Sequence, residues 1–405
     1  MEEAQRSEVP GGAASVPAAA AAPVVEDGSG SGAAGEEKAD VMMACDGSEP
    51  GGAGEGELKV EGEGVGEAME VEAVNVAEAG TGGERAKVED DEENILDLTS
   101  FQLHDLTDVD LPATLAELDL TSNRLVSIDP RIANLSHLQK LSFEQNLIAD
   151  EAVTVLNQWT ALHGLQELVL RDNKLLRIPS LSNFVNLTLL DVSFNKVTSM
   201  NGLSAVSSTL AELYLSKNEI PEIKEIEHLS KLRVLELGSN KIRVMEGLDQ
   251  LKELQQLWLG RNRIQSVNMS GLTNLLKISL QSNRLTSMAG FQECVNLTEL
   301  YLSHNHISVM EGLSTLRNLR VLDLASNKIS ALSNLDELSR LEDLWLNDNN
   351  IASMDDIEIK LTGCKNSLTT VYLERNPCAL DPKYIRTMRA ILPKLQQLDS
   401  HLLLH

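Results

Sequence analysis

Three sets of residues in this sequence could do chemistry. His304 and His306 stand two apart beside Asn305, a spacing that could offer two imidazoles to a metal ion, but no third ligand follows at a metal-binding interval. Carboxylates recur at Asp119, Asp191, Glu236 and Asp323, and acids held on strands about 4.8 Å apart could imitate the two carboxylates of a hydrolase. That chemistry needs a pocket to desolvate one of them. With no pocket in view, their pKa values are expected to stay ordinary, and hydrolysis is rejected. Cys45, Cys294, Cys364 and Cys378 form neither a Cys-x-x-Cys pair nor an evenly spaced ladder, so they read as buried or idle thiols of a reducing compartment. No glycine-rich phosphate loop, nucleophile elbow or His-Glu-x-x-His motif occurs. The chemistry that remains is recognition by aromatic and acidic side chains, and their placement depends on the elements that carry them.

Those elements are repeats. The pattern Leu-x-x-Leu-x-Leu-x-x-Asn-x-Leu recurs from Leu115 onward, as in Leu232 to Ile242, Leu254 to Ile264 and Leu319 to Ile329. Its asparagines are Asn123, Asn146, Asn173, Asn195, Asn218, Asn240, Asn262, Asn283, Asn305, Asn327, Asn349 and Asn376, which makes twelve units. Nine of the eleven intervals are 21 to 23 residues and two are 27. The first long interval contains Ala152 to Leu156, read as a longer convex helix. A period near 22 residues with this leucine pattern is that of a leucine-rich repeat. The fold expected is therefore an α/β leucine-rich-repeat solenoid, a horseshoe with a parallel concave sheet of about twelve 22-residue repeats.

The ends differ from the middle. Residues 1–94 hold 24 Asp and Glu against five Lys and Arg, with 17 of the 26 glycines, one leucine and no aromatic residue. Such a segment cannot bury enough apolar surface to offset its ordering entropy, so it reads as a disordered acidic tail. It either solubilises the chain or competes intramolecularly for basic partners. The solenoid is assigned to residues 95–376, opening on a worn half-unit, Leu96 to Leu103, with Phe101 where asparagine is expected. Residues 377–405 supply a C-terminal cap, with helical spacing from Tyr384 to Leu392 ended by Pro393 and a last half-strand at Leu395 and Leu398. A net charge of −27 argues against direct nucleic-acid binding. The first residues lack the basic flank and apolar run of a signal peptide, and no apolar stretch reaches the roughly 18 residues needed to span a membrane.

In each unit the two strand leucines turn inward and the residue between them faces the concavity. That row is Asp119, Ser142, Val169, Asp191, Tyr214, Glu236, Trp258, Ser279, Tyr301, Asp323, Trp345 and Tyr372. Five of these twelve are Trp or Tyr in a chain with only twelve aromatic residues. Being free of packing duty in this reading, they point to a partner, because Trp and Tyr dominate protein–protein hot spots. Two residues earlier a second row holds Glu117, Glu167, Glu212, Glu299 and Asp343 against Lys140 and Lys277. A partner with apolar pockets and basic surroundings is expected. Small residues after the second leucine, among them Ser193, Ser216, Gly238, Gly260, Ser303 and Ala325, are expected to leave the groove open. The competing reading is that aromatic residues on a parallel sheet stack to stabilise it.

The chain resembles the leucine-rich-repeat regulatory subunit of type-1 protein phosphatase, the Sds twenty-two family, over about residues 94–405. The resemblance rests on the 22-residue repeat and on Leu235 to Asn240, Gln281 to Leu285, Glu299 to Asn305, Trp345 to Asn349 and, most specifically, Val371 to Pro377 followed by Asp381 to Tyr384. It implies that the concave row binds the phosphatase catalytic subunit through Asp191, Tyr214, Glu236, Trp258, Asp323, Asp343, Trp345 and Tyr372; Tyr301 joins them from the aromatic row alone. Tyr214 and Trp258 stand where the family often has Phe, and Asp343 where Glu is usual. No basic-Val-x-Phe docking string is present, which fits a concave mode of binding. The resemblance further implies a non-enzymatic protein that needs no cofactor and controls phosphatase activity, maturation or targeting in nucleus and cytoplasm, often with a second inhibitory subunit of the inhibitor-three type. The rival is a structural adaptor in a ribonucleoprotein, like the spliceosomal A-prime protein, but that protein is much shorter than twelve repeats.

Overall fold

The computed structural model describes residues 94–403 apart from 207 and 356. The acidic segment expected at 1–94 lies, but for Asn94, outside the described residues, as does Cys45. From β1 (Ile95–Asp97) and β2 (Glu117–Asp119) to β13 (Thr370–Tyr372) and β14 (Gln397–Leu398), each short strand pairs in parallel with the next coil's strand. Among the described residues the sheet has 15 strands in sequence order, and only the last, β15 (His401–Leu402), runs antiparallel to its neighbour β14. The strands from β2 to β13 match the twelve asparagines one for one.

The leucine spacing produces this by alternation. Leu235, Leu257, Ile278, Leu300 and Leu322 pair in one buried row. The next leucine of each coil, such as Leu237 and Leu259, is also buried. On the return leg Leu248, Leu251 and Leu254 close the same core from the convex side. The return legs are mostly turns. Where the interval lengthens to 27 residues the extra chain becomes α1 (Asp150–Val153), continued by a 3-10 turn over Thr154–Gln158, or α2 (Ile357–Lys360).

Each repeat asparagine ties its coil to the preceding one. Asn262 Nδ2 donates to Leu237 O in the preceding coil at 2.9 Å and to Leu259 O in its own at 3.0 Å, while its Oδ1 accepts from Ile242 N at 3.0 Å. All twelve are buried, so these bonds satisfy backbone groups that would be costly to leave unpaired. The residue before each asparagine is left-handed, with φ between 51° and 58° at all twelve positions, and none is glycine. That bend directs its own N–H into the next coil, as Phe194 N to Ser216 O at 2.8 Å.

A second asparagine ladder, which the repeat pattern did not suggest, stands at the entry to several strands. Asn186, Asn274, Asn296 and Asn318 each donate from Nδ2 to a carbonyl of the preceding coil at 2.8 to 3.0 Å. In the C-terminal cap, α3 (Tyr384–Ile391) buries Tyr384 and Met388. Asp399 follows Leu398, which pairs with Val371, and so comes level with Tyr372 at the end of the concave row. It is left-handed and buried, and its Oδ1 ties the cap to the last coil by accepting from Leu373 N at 2.7 Å and Glu374 N at 2.9 Å. The Tyr384 hydroxyl donates to Asp399 Oδ2 at 2.9 Å. At the other end Phe101 is 64% exposed, since no earlier coil calls for an asparagine there.

Candidate partner-binding face

Strand pairing places the expected row in one line. Asp191 pairs with Tyr214, Tyr214 with Glu236, Glu236 with Trp258, Trp258 with Ser279, and so on through Tyr301, Asp323, Trp345 and Tyr372. All nine candidate residues lie on this face, Asp343 one row away at the start of its strand.

The residues are not free of packing duty as expected. Trp345 meets Tyr372 edge-on at 6.0 Å between ring centroids, and Tyr301 at 6.4 Å. Tyr301 and Trp345 are two strands apart, with Asp323 between them in the row. The stacking alternative is therefore realised in this part of the sheet, while Trp258 has Glu236 and Ser279 as its neighbours in the row. Ser279 is 1% and Asp323 6% exposed, because each sits between two large rings.

Carboxylate pKa values also depart from the ordinary ones expected. Burial raises Asp191, Glu236 and Asp323 above the usual carboxylate range. Hydrogen bonds oppose it: Ser193 N donates to Asp191 Oδ1 at 2.7 Å, and Ala325 N to Asp323 Oδ1 at 3.0 Å. The aromatic neighbours supply the low-dielectric walls that a hydrolase would take from a pocket. Arg171 Nη1 lies 3.9 Å from Asp191, whereas neither Glu236 nor Asp323 has a Lys or Arg partner within salt-bridge distance among the described residues.

The second row is partly neutralised within the chain. Lys140 lies 3.4 Å from Glu117 and 3.8 Å from Glu167, and Lys277 lies 2.8 Å from Glu299. Tyr214 donates to Glu212 at 2.7 Å and Tyr301 to Glu299 at 3.0 Å. Tyr372, by contrast, accepts from Gln397 Nε2 at 2.5 Å. The groove is less open than the small residues suggested. Ser193, Ser216, Gly238 and Gly260 are buried, and a Cβ on Gly260 would stand 3.0 Å from Gln281 Cδ.

One polar atom is left over. Trp345 Nε1 is buried without a hydrogen-bond acceptor among the described residues. The sequence shows the ring of Trp345; that its N–H is orphaned emerges only in the fold, where Tyr301 and Tyr372 pack against that ring. A trough of about 730 Å³ lies elsewhere, at the N-terminal edge of the first strands. It is lined by groups such as Thr114, Ser136, Gln166 and Thr188, with no carboxylate or thiol side chain. Among the described residues, no group of three metal-binding side chains occurs.

Comparison with known proteins agrees with the architecture. The family described as "Leucine rich repeat" matches residues 208–264 and 254–307, and "Leucine Rich repeats (2 copies)" matches 295–337. Among solved structures, a leucine-rich-repeat protein of Leptospira interrogans is 30% identical with a TM-score of 0.56, covering 71% of this chain and 80% of its own. An internalin of Listeria monocytogenes, 23% identical with a TM-score of 0.55 and covering 70% of this chain and 86% of its own, shares the fold. A protein of Arabidopsis thaliana named as the protein phosphatase 1 regulatory inhibitor subunit PPP1R7 homolog is 59% identical over 312 residues, which is 77% of this chain and 95% of that protein. The repeat register, the aromatic and acidic row and this relationship together show that the chain belongs to the leucine-rich-repeat regulatory inhibitor subunits of protein phosphatase 1, the Sds twenty-two family, and is regulatory rather than catalytic.

Proposed function

We propose that this chain grips the catalytic subunit of type-1 protein phosphatase with its concave row and so controls that enzyme's activity, maturation or targeting. Asp191, Tyr214, Glu236, Trp258, Tyr301, Asp323, Asp343, Trp345 and Tyr372 make the contacts in this reading. Its main support is Asp323, a buried carboxylate without a Lys or Arg partner in salt-bridge contact, set between two rings beside an indole N–H that lacks an acceptor. A buried carboxylate held by Ala325 N and Ser303 but by no Lys or Arg among the described residues, and an unsatisfied donor, each cost free energy in the unbound protein. A partner that inserts a cationic side chain between the rings and offers an oxygen to Trp345 Nε1 relieves both costs. Trp258, beside the partly buried Glu236, offers a second anchor of the same kind.

A second inhibitory subunit of the inhibitor-three type, joining the same complex, belongs to this proposal. So does action in nucleus and cytoplasm, with which the buried, unpaired thiols of Cys294, Cys364 and Cys378 are compatible.

Calorimetric titration of the full chain into the type-1 catalytic subunit tests the reading, comparing wild type with Trp258→Ala plus Trp345→Ala. Each tryptophan, as a hot spot, should contribute about 2 kcal/mol or more, roughly 30-fold in affinity. Loss of binding in the folded double variant supports both partner and face. Undiminished binding keeps the partner and removes the face, and no binding by wild type removes the partner.

A further inference from the structure

We propose that the sheet edge beyond the C-terminal ends of the strands is a second docking surface, which takes a short acidic segment of another protein. It begins with the position directly after each repeat asparagine. In the eight coils from residue 174 to residue 328 that position holds Lys174, Lys196, Lys241, Arg263, Arg284 and Lys328, with one carboxylate and one imidazole among them. The chain as a whole has 61 acidic against 34 basic residues, so this bias runs against its composition.

The fold does not require cations there. The backbone N–H at this position is already bonded to the preceding coil, as Lys196 N to Leu175 O, Lys241 N to Ile220 O and Arg284 N to Ile264 O, each at 2.9 Å. Other coils place Leu147 or Asn350 in the same position. Five of the six side chains are exposed and Arg263 is half-buried. Among the six, only Lys241 has an ion-pair partner among the described residues, the row's one carboxylate, Glu219, at 2.6 Å. Because the backbone ladder holds the coils in register, the cations form a line of seven intervals, roughly 34 Å at about 4.8 Å per coil. An extended peptide of about ten residues covers that length.

Phe194 adds an aromatic ring beside this row. Its left-handed backbone, φ 56°, is shared by all twelve positions before a repeat asparagine, so only the ring sets it apart. Its ring lies 4.1 Å from the Arg171 guanidinium carbon and 4.7 Å from Lys217 Nζ. Arg171 is already paired with Glu144 at 3.2 Å, so the ring adds one more cation, Lys217, close to Lys196. A single aromatic ring, already covered by two cations, is a poor platform for stacking successive bases. The chain's net charge of −27 also opposes a long polyanion. A short acidic protein segment is the better fit.

The test uses the full chain and a fluorescein-labelled peptide of Glu, Asp and Gly, about ten residues long, read by anisotropy at about 50 mM and about 200 mM salt. Lys174→Gln, Lys196→Gln, Arg263→Gln and Arg284→Gln combined should weaken binding about tenfold or more, with circular dichroism and the thermal midpoint unchanged. Trp258→Ala plus Trp345→Ala should bind the peptide as wild type does, which separates this surface from the concave row. Carbodiimide coupling of the peptide to wild-type chain should mark Lys174, Lys196 or Lys328 by mass spectrometry, and this requires no variant. Absence of binding at low salt, equal affinity in the fourfold variant, or coupling only at other lysines would each overturn the proposal. Tighter binding of an oligothymidylate of equal charge would assign the edge to nucleic acid instead.

Discussion

Tyr301 and Trp345 occupy strands two apart, yet their rings meet at 6.4 Å between centroids, with Asp323 in the strand between them. The contact turns three side chains of a solvent-facing row into one unit. A double-mutant cycle on Tyr301→Ala and Trp345→Ala, followed by urea unfolding, should show a coupling of about 0.5 to 1.5 kcal/mol. Strict additivity would mean that the rings contribute independently.

Asp323 gives a pH dependence of defined sign. Burial holds its folded pKa above the ordinary value, so the native chain retains a proton at pH values where the unfolded chain has lost it. Stability from this group therefore falls as pH rises from the ordinary Asp value through the raised one, and the full cost is present at neutral pH. Asp323→Asn keeps an oxygen for Ala325 N and carries no charge. It should be more stable than wild type at neutral pH, with the advantage shrinking as pH falls through that window. The same variant should bind the phosphatase catalytic subunit about 2 kcal/mol more weakly. Urea midpoints across pH and calorimetry check the two halves, and a variant less stable than wild type at neutral pH would contradict the desolvation account.

The asparagine ladder is structural throughout. Asn262→Ala leaves Ile242 N without its side-chain acceptor, at about 1 to 3 kcal/mol when buried, and removes one of the two amide donors on Leu237 O, which keeps Asn240 Nδ2 at 3.1 Å. A total loss of roughly 2 to 4 kcal/mol is expected in chemical unfolding. Exposed Asn350, one residue after a repeat asparagine and with no side-chain hydrogen bond to another described residue, should tolerate Ala within about 0.5 kcal/mol.

The thiols should be inert in the native chain. Burial pushes Cys294 and Cys364 up to about 12 and also raises Cys378. An aromatic disulfide reagent at about pH 8 should leave these three unmodified until denaturant is added. Rapid labelling of Cys294 without denaturant would show that its coil opens locally.

Much of this architecture could be read along the chain. A strict period of leucines and asparagines specifies parallel pairing, register and the inward face, because each unit can bury its apolar edge only against identical neighbours. The same period identified the concave row, since alternation leaves just one side-chain direction for the residue between two buried leucines. Sequence alone also pointed to Tyr384 and Leu398 as parts of a cap. It could not show that Asp399 bolts that cap to the last coil, because its role exists only once Leu373 N and the Tyr384 hydroxyl converge on its carboxylate.

What only the tertiary structure decided is the condition of the residues in that row. Periodicity places Asp323, Tyr301 and Trp345 on one face but says nothing of rings reaching across a strand, so the expectation of unpacked side chains with ordinary carboxylates did not hold. Left-handed Phe194 is equally silent in sequence, since the position before the asparagine accepts Ser, Arg, Asp or Phe alike. The repeat determines where each side chain starts, through local backbone geometry. Desolvation, an orphaned indole N–H and a line of cations depend on distances between side chains many residues apart, and those exist only when the coils stack.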